Sequence, residues 1–461
     1  MIKKHAVILG AGISGLSLAW FLKRKYGNGI DLTIVEKSSR CGGWMRTFHK
    51  EGFLFEQGPH SCRAQGNNIA ALKLVESLGL QDQVILPQSK SMSRYILNNQ
   101  KLTPIPHNIF SMIFSPVTNG IMRAFWNDWR TPPGLSSDES VYAFISRRLS
   151  VEVADRLLDP LVSGIYAGDI RQLSIRACFP SLYEREQRFG SLTRSLFRSK
   201  IKSQGSSASS SPFIQKISGY GMFSFREGME TLPRTIEKQL IDSTILLECR
   251  ATALQFHPHA IDVILSDGNV LKADHIFFAL PVAAVADLVA PHLEDTAGLL
   301  RGISMASVSV VNLGYRKRHL KQNGFGFLVP SQENEEILGM IWDSCVFPQQ
   351  NQQIEETRLT VMMGGMRYPE ICQLGDDEQL KMALKAASKH LQIDVLPDAS
   401  GVSVARDAIP QYTVGHIERV LAIKQGLHRL SPHLTCLGCA FDGVSVNDCI
   451  AQAELHAVLK K

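Results

Sequence analysis

The chain has 461 residues, enough for two or three domains around a sizeable core. With 44% hydrophobic and 20% charged residues its composition is globular, which excludes a disordered or low-complexity chain. A formal net charge of +6 is too small to predict a nucleic-acid partner, and nine scattered cysteines argue against a disulfide framework and for a reducing compartment.

Ala6-Val-Ile-Leu9 reads as a short buried parallel strand. Lys3 and Lys4 ahead of the apolar run to Leu22 imitate a signal peptide. Gly10, Gly12 and Gly15 punctuate that run, however, and no small-residue cleavage site follows, so it reads as mature structure without a signal peptide. Leu16, Ala19, Trp20 and Leu22 give a helical pattern, and Leu32–Val35 gives a second strand ending at Glu36, which completes one βαβ unit. Residues 102–122 contain no Asp, Glu, Lys or Arg, and Trp126 and Trp129 follow. The prolines and Gly120 forbid a regular spanning helix. An interfacial patch that includes Phe110, Ile113 and Phe114 is expected there, with a buried core helix as the alternative. Residues 101–214 hold 14 Lys and Arg against 9 Asp and Glu, so most of the positive excess sits in that quarter of the chain, which suits anionic lipid or an acidic substrate. Residues 136–161 read as helices opened by a capping box between Ser136 and Glu139. Ser203 to Pro212 reads as a flexible loop. Strands then dominate: Ile261–Leu265 runs into a hairpin turn at Asp267-Gly268, Ala273–Pro281 is a buried strand, and Ser307–Leu313 alternates like an antiparallel one. Leu380–Leu391 is helical, Thr435–Ala440 is a last short strand, and a helix begins near Asn447. Cys436 and Cys439 form one C-x-x-C with no second ligand pair, so no metal site is expected.

Gly10-Ala11-Gly12-Ile13-Ser14-Gly15 is a G-x-G-x-x-G that follows a strand and opens a helix. In that context Gly10 makes the tight turn, Gly12 lets the backbone approach a pyrophosphate, and Gly15 lets helix and strand pack closely. The helix N-terminus attracts the phosphates, and Glu36 accepts bonds from ribose hydroxyls. Either NAD or FAD satisfies this much. Arg40-Cys-Gly-Gly43-Trp44-Met-Arg46 and Phe55-Glu-Gln-Gly58-Pro59-His60-Ser61 follow, and their paired glycines and nearby arginines suit a longer cofactor, which favours FAD.

These segments resemble the amine oxidase and phytoene desaturase superfamily of flavoproteins. Within it the chain is similar to the branch that oxidises porphyrinogens. Ser163-Gly164-Ile-Tyr-Ala167-Gly168, Leu173 to Leu182, Gly228 to Pro233, Gly324 to Pro330, Ile409 to His416 and Gly443 to Cys449 carry that narrower likeness along nearly the whole chain. The resemblance implies an α/β fold: a discontinuous Rossmann-like FAD-binding domain (1–88, 215–285 and 405–461), a mixed-sheet substrate domain (89–100 and 286–404), and a helical insertion (101–214) that contacts membrane. It implies six-electron oxidation of protoporphyrinogen IX to protoporphyrin IX in haem biosynthesis, with oxygen or a quinone as acceptor. Coproporphyrinogen III oxidation, an amine oxidase and a carotenoid desaturase are the alternatives. A cytoplasmic place on the inner face of a membrane and a homodimeric assembly go with it.

Residue by residue, the resemblance assigns FAD contacts to Gly10, Ala11, Gly12, Ile13, Ser14, Gly15, Glu36, Lys37, Gly43, Trp44, Gly58, Pro59, His60, Ser61, Ala251, Ile417, Val444, Ser445 and Val446. It gives Arg94 to a substrate propionate, Leu328 and Met362 to a sandwich around the macrocycle, and Gly164 and Ala167 to a small-residue segment that admits it. His60, Ile417 and Glu227 depart from residues common among relatives. No catalytic side chain is assigned, since the flavin performs the redox step in such enzymes.

Overall fold

The structure is a computed structural model that describes residues 3–64, 69–88, 93–106, 120–134, 136–199 and 211–459. Two sheets organise it. The first is a five-stranded parallel sheet with spatial order Thr244–Leu246, Ile30–Val35, Lys4–Leu9, His275–Phe278, Leu434–Cys436. Both of its faces are covered, which is why the central strand is a continuous apolar run. Ala6 and Ile8 pack with Leu16, Ala19, Leu22, Ile450 and Ala453 on the helical side. Val7 and Leu9 pack with Val263, Leu265, Val285 and Val289 on the other. The antiparallel meander Ala251–Phe256, Ile261–Leu265 and Val270–Ala273 supplies part of that second layer, and Gly268 takes the positive φ of its turn.

The second sheet has seven strands in the order Ala399–Pro410, Met305–Tyr315, Thr357–Gly364, Ile337–Ile341, Gly326–Leu328, Arg94–Asn98, Lys101–Pro104. It is mixed, because Gly326–Leu328 pairs with Arg94–Asn98 in parallel while its other neighbours run antiparallel. Strand residues alternate faces. Val311, Leu313, Leu359, Val361 and Met363 form the face under helix Asp376–Leu391, against Ala383 and Ala387. The other face turns toward the glycine segments. There Gly314 lies so close to Phe53 and Phe55 that a Cβ would meet the Phe53 ring at 2.8 Å, and Asn312 Nδ2 donates to the Glu56 carbonyl at 3.2 Å.

Helices Val141–Arg148, Asp159–Tyr166 and Pro180–Phe189 belong to a third unit around Val141, Phe144, Ile145 and Val162. Fully buried Arg148 ties it together by reaching Glu186, Asp128 and the Gly190 carbonyl. Several expectations need adjusting. Ser140, not Ser136, caps the first of these helices by accepting from the Ala143 amide, while Glu139 binds Arg147. The cause is tertiary: Ser140 bridges to Ser174 and the Val141 amide donates to the Leu173 carbonyl, which sets where the helix begins. The expected loop to Pro212 ends sooner, since Ser211 caps helix Pro212–Ser218; residues 203–210 lie outside the described residues. The last strand stops at Cys436, and Ala273 belongs to the meander rather than to the strand His275–Phe278. The expected domain borders at 285/286 and 404/405 fall inside helix Val282–Val289 and strand Ala399–Pro410, and the one at 100/101 falls in the turn of a hairpin.

Candidate flavin and substrate site

The glycine turn leaves the C-terminal end of the central strand, and its three glycines have three different environments. Gly10 has φ +100°, and a Cβ there would sit 2.4 Å from the Ala279 carbonyl oxygen. At Gly15 a Cβ would overlap the Gly10 carbonyl oxygen at 2.0 Å. At Gly12, by contrast, a Cβ would meet nothing within 4 Å. Two glycines therefore let the turn and helix pack, and the middle one borders open space, as a backbone cradle for a bulky anion requires. Helix Ile13–Tyr26 begins there with no side-chain cap and no acidic residue in its first turn. Its first N–H groups lack intrahelical acceptors and carry the positive end of the helix dipole.

Glu36 at the end of the second strand accepts from the Ala11 amide at 2.8 Å and from the Ser38 amide at 2.9 Å and hydroxyl at 2.8 Å. It thus holds the turn in shape, and a carboxylate keeps lone-pair capacity for a ribose hydroxyl. Lys37 beside it is exposed. Glu36 also receives the Cys249 amide on its carbonyl, which brings Ala251 to the same end of the sheet. Gly42 donates to the Ala11 carbonyl at 2.8 Å, and Gly43 packs against the Gly12 Cα. The Arg40 guanidinium turns back onto its own loop. It donates to the Cys41 and Gly43 carbonyls at 2.8 and 2.6 Å and pairs with Glu230 at 3.5 Å, so it braces the loop.

Trp44 is exposed, and Gly58 is pressed against its backbone, where a Cβ would meet the Trp44 carbonyl oxygen at 1.9 Å. Pro59, His60 and Ser61 continue from that contact. His60 turns inward, and its Nδ1 lies 2.8 Å from Asp343 Oδ1. On the far side of the helix start, Ser445 caps helix Val446–His456 in a capping box with Asp448. Val444 precedes it, and Gly443 donates to the Tyr412 hydroxyl, which in turn donates to the Cys439 carbonyl. Ile417 lies on the first turn of helix His416–Leu430, partly exposed, next to His416, whose ring stacks on Tyr412 at 4.0 Å.

The residues expected on the substrate side gather on the sheet face that turns toward these loops. Leu328 is in register with Gly339, and Gly339 with Met362, so Leu328 and Met362 flank a glycine gap on one row. Gly164 backs onto Leu328, where a Cβ would come within 2.7 Å of its methyl carbon. Ala167, with φ +48°, packs with Val308, Val310 and Leu338, and Met362 lies against the same cluster. Arg94 pairs with Gly326, two residues before Leu328 on the same face. Its guanidinium lies over the Phe325 ring at 5.3 Å. Burial among apolar groups lowers its pKa, and no carboxylate opposes that effect.

Asp343, Glu56 and Tyr412 were not singled out from sequence. Asp343 stands 283 residues from His60, and no spacing rule joins them. Nothing in the site groups metal ligands: among the described residues no set of three or more His, Cys, Asp and Glu is arranged to hold an ion. A cleft of about 460 Å³ lined by Lys4, His257, His259 and His433 lies at the opposite end of the parallel strands and is not part of the site.

Comparison with known proteins agrees with this geometry. The family described as flavin containing amine oxidoreductase matches residues 13–454. Protoporphyrinogen oxidase of Bos taurus is 34% identical over 98% of this chain and 98% of its own length. Coproporphyrinogen III oxidase of Bacillus subtilis is 29% identical over 98% and 97%. Among solved structures, one from Exiguobacterium superposes with a TM-score of 0.84 at 23% identity, covering 99% of this chain and 98% of the other. The chain belongs to the flavin-containing amine oxidoreductase family and is an FAD-dependent oxidoreductase.

Proposed function

We propose that the chain oxidises protoporphyrinogen IX to protoporphyrin IX. The observation that carries this reading is the meeting of Gly164, Ala167, Leu328 and Met362 on one apolar face beside Arg94. A flat, oily macrocycle with carboxylate arms needs such walls and such a cation. The names of relatives that match nearly end to end support it. FAD, when bound, would supply the two-electron acceptor for hydride removal from a bridging carbon in each of three rounds. The protein's part is to bind and orient. Leu328 and Met362 hold the macrocycle by its faces, the absent side chain of Gly164 leaves room for Leu328 to take up that position, and Arg94 anchors a propionate. In all, four hydrogens leave the bridging carbons and two the pyrrole nitrogens, three as hydride and three as protons, with a tautomerisation moving one hydrogen from carbon to nitrogen before it departs; oxygen, reduced to hydrogen peroxide, is the acceptor that closes each cycle.

Steady-state turnover followed by porphyrin fluorescence tests the reading. The protein with FAD should convert protoporphyrinogen, and absence of turnover above the buffer rate would remove the proposal. The Bacillus subtilis relative favours coproporphyrinogen as the second reading. Faster conversion of that substrate would establish it instead. Arg94→Ala should raise KM for the porphyrinogen about tenfold and leave kcat within about twofold, as expected when one charge-assisted bond to a remote carboxylate is lost.

We also propose contact with a membrane surface. Among the described residues no helix is long and apolar enough to cross a membrane. Helix Ile121–Arg130, however, exposes Met122, Trp126 and Trp129, with Arg130 over one indole at 5.1 Å and Arg194 over the other at 5.3 Å. Aromatic rings flanked by cations suit the headgroup region of an anionic bilayer. Phe110, Ile113 and Phe114, expected to share this surface, lie outside the described residues. The protein should pellet with anionic liposomes, and the pelleted fraction should fall severalfold in a Trp126→Ser/Trp129→Ser variant. Equal pelleting of both proteins would contradict the proposal.

A further inference from the structure

Helix Asp159–Tyr166 carries Gly164 and leads into Ala167. A π-helical turn, Ala154–Leu158, precedes it. That turn is one residue wider than an α-turn and shifts the register of the helix that follows. Two strand ends then grip the helix. The strand Gly326–Leu328, which carries Leu328, leads into Ser331, whose amide donates to Asp159 Oδ2 at 2.6 Å. The strand Thr357–Gly364, which carries Met362, leads into Gly365-Met366-Arg367. There the Met366 amide donates to the Ala167 carbonyl at 2.7 Å, and Arg367 faces Asp159 Oδ2 at 3.5 Å. Arg367 also donates to the carbonyl of Val329, the residue after Leu328, at 3.1 Å. The approach is close, since a Cβ on Gly365 would meet the Ala167 carbonyl oxygen at 2.5 Å. Asp159 is buried, and Arg367 is mostly so.

We propose that Arg367 and Asp159 are positioning residues that clamp the Gly164 helix behind Leu328, and so fix how far Leu328 projects toward the porphyrinogen. The proposal rests on the porphyrinogen reading and adds to it the residues that set the place of one wall. A Cβ at Gly164 would lie 2.7 Å from a Leu328 methyl carbon, so the helix backbone already touches that side chain. Leu328 cannot recede while the helix is held. The hold acts at both helix ends, through Arg367 and Ser331 at Asp159 and through Met366 at Ala167. Neither Arg367 nor Asp159 has to touch the substrate, because both act through Leu328. Loosening the clamp lets helix and side chain draw back together. Contact with the macrocycle's face then weakens equally in the bound substrate and the transition state, which raises KM and spares kcat. The clamp also explains why position 164 is tight. An added methyl group there must push Leu328 forward unless the helix is free to back away.

The test is a double-mutant cycle on the FAD-loaded full-length protein, with KM and kcat for protoporphyrinogen read by porphyrin fluorescence. Arg367→Met should raise KM about fivefold and keep kcat within about twofold. Arg367→Lys keeps a cation opposite Asp159 and should have a KM within about twofold of wild type, since one point charge serves a single contact. Gly164→Ala should raise KM about tenfold by displacing Leu328. Independent sites would give the Gly164→Ala/Arg367→Met protein the product of the two effects, about fiftyfold. The clamp requires a KM no higher than that of Gly164→Ala alone, because the released helix absorbs the methyl group. Asp159→Asn keeps an acceptor for the Ser331 amide, loses the charge opposite Arg367, and should show the same coupling, so the cycle stands even where Arg367→Met does not fold. Flavin content and melting temperature show that each variant is folded and loaded. Effects that multiply would overturn the proposal, and direct contact of Arg367 with a substrate carboxylate would give that result. Wild-type KM values in both Arg367→Met and Asp159→Asn would overturn it too. A wild-type protein that turns over no porphyrinogen would instead count against the porphyrinogen reading itself.

Discussion

A Gly12→Val protein should fold as well as the flavin-free wild type and yet purify colourless. Gly12 has φ −70°, which any L residue adopts, and a Cβ there meets no atom of the protein within 4 Å. An isopropyl group therefore costs the polypeptide little but fills the space that lets the backbone close on a pyrophosphate. FAD affinity should drop at least hundredfold, read as the flavin released on heating and as binding of added FAD by fluorescence quenching. The melting temperatures must be compared without FAD, because a ligand that binds only the native state stabilises it. Gly15→Ala is the contrasting variant. Its Cβ would stand 2.0 Å from the Gly10 carbonyl oxygen, where no flexible side chain can give way, so this protein should be insoluble or melt far lower. Retention of FAD by Gly12→Val would mean that the open space beside Gly12 is not where the cofactor's phosphates lie.

Arg358→Met should cost about 3–5 kcal/mol of stability and lower the melting temperature by several degrees. Arg358 is fully buried and joins three parts of the molecule. It pairs with Glu356 at 2.9 Å, donates to the Leu54 carbonyl at 3.0 Å, and reaches the Asn351 side chain at 2.9 Å and the Phe347 carbonyl at 3.3 Å. A methionine fills much of its volume but leaves those acceptors unpaired and Glu356 uncompensated. Adding Glu356→Gln removes the stranded charge and should recover part of the loss. A single Arg358→Met variant that melts with wild type would show that water reaches this network.

The βαβ unit that carries the glycine turn was legible in the sequence because its signals are local. Strand, glycine turn, helix and acidic strand end fall within thirty-six residues, and Gly10 and Gly15 each have a steric reason in the structure. The candidate substrate face was less legible. Arg94 and Leu328 share a face because two short strands far apart in the chain pair in parallel, and no period within either strand encodes that. The Met305–Tyr315 strand extends beyond the alternating Ser307–Leu313 stretch, because pairing on both edges carries it on. The Ser136–Glu139 spacing satisfied a capping rule that the neighbouring Ser140–Ser174 bridge overrides. His60 was visible as a departure from relatives, but its partner Asp343 was not, since only the packing of the two sheets joins them.

A porphyrinogen on the Leu328–Met362 face is proposed to deliver its electrons to FAD held at the glycine turn. Anaerobic stopped-flow mixing of the FAD-loaded protein with protoporphyrinogen addresses it in one step. The visible flavin absorbance should bleach within a turnover, and admitting oxygen should restore it as porphyrin appears. Flavin that stays fully oxidised in the presence of both protoporphyrinogen and coproporphyrinogen would rule out electron transfer from a porphyrinogen to the bound FAD.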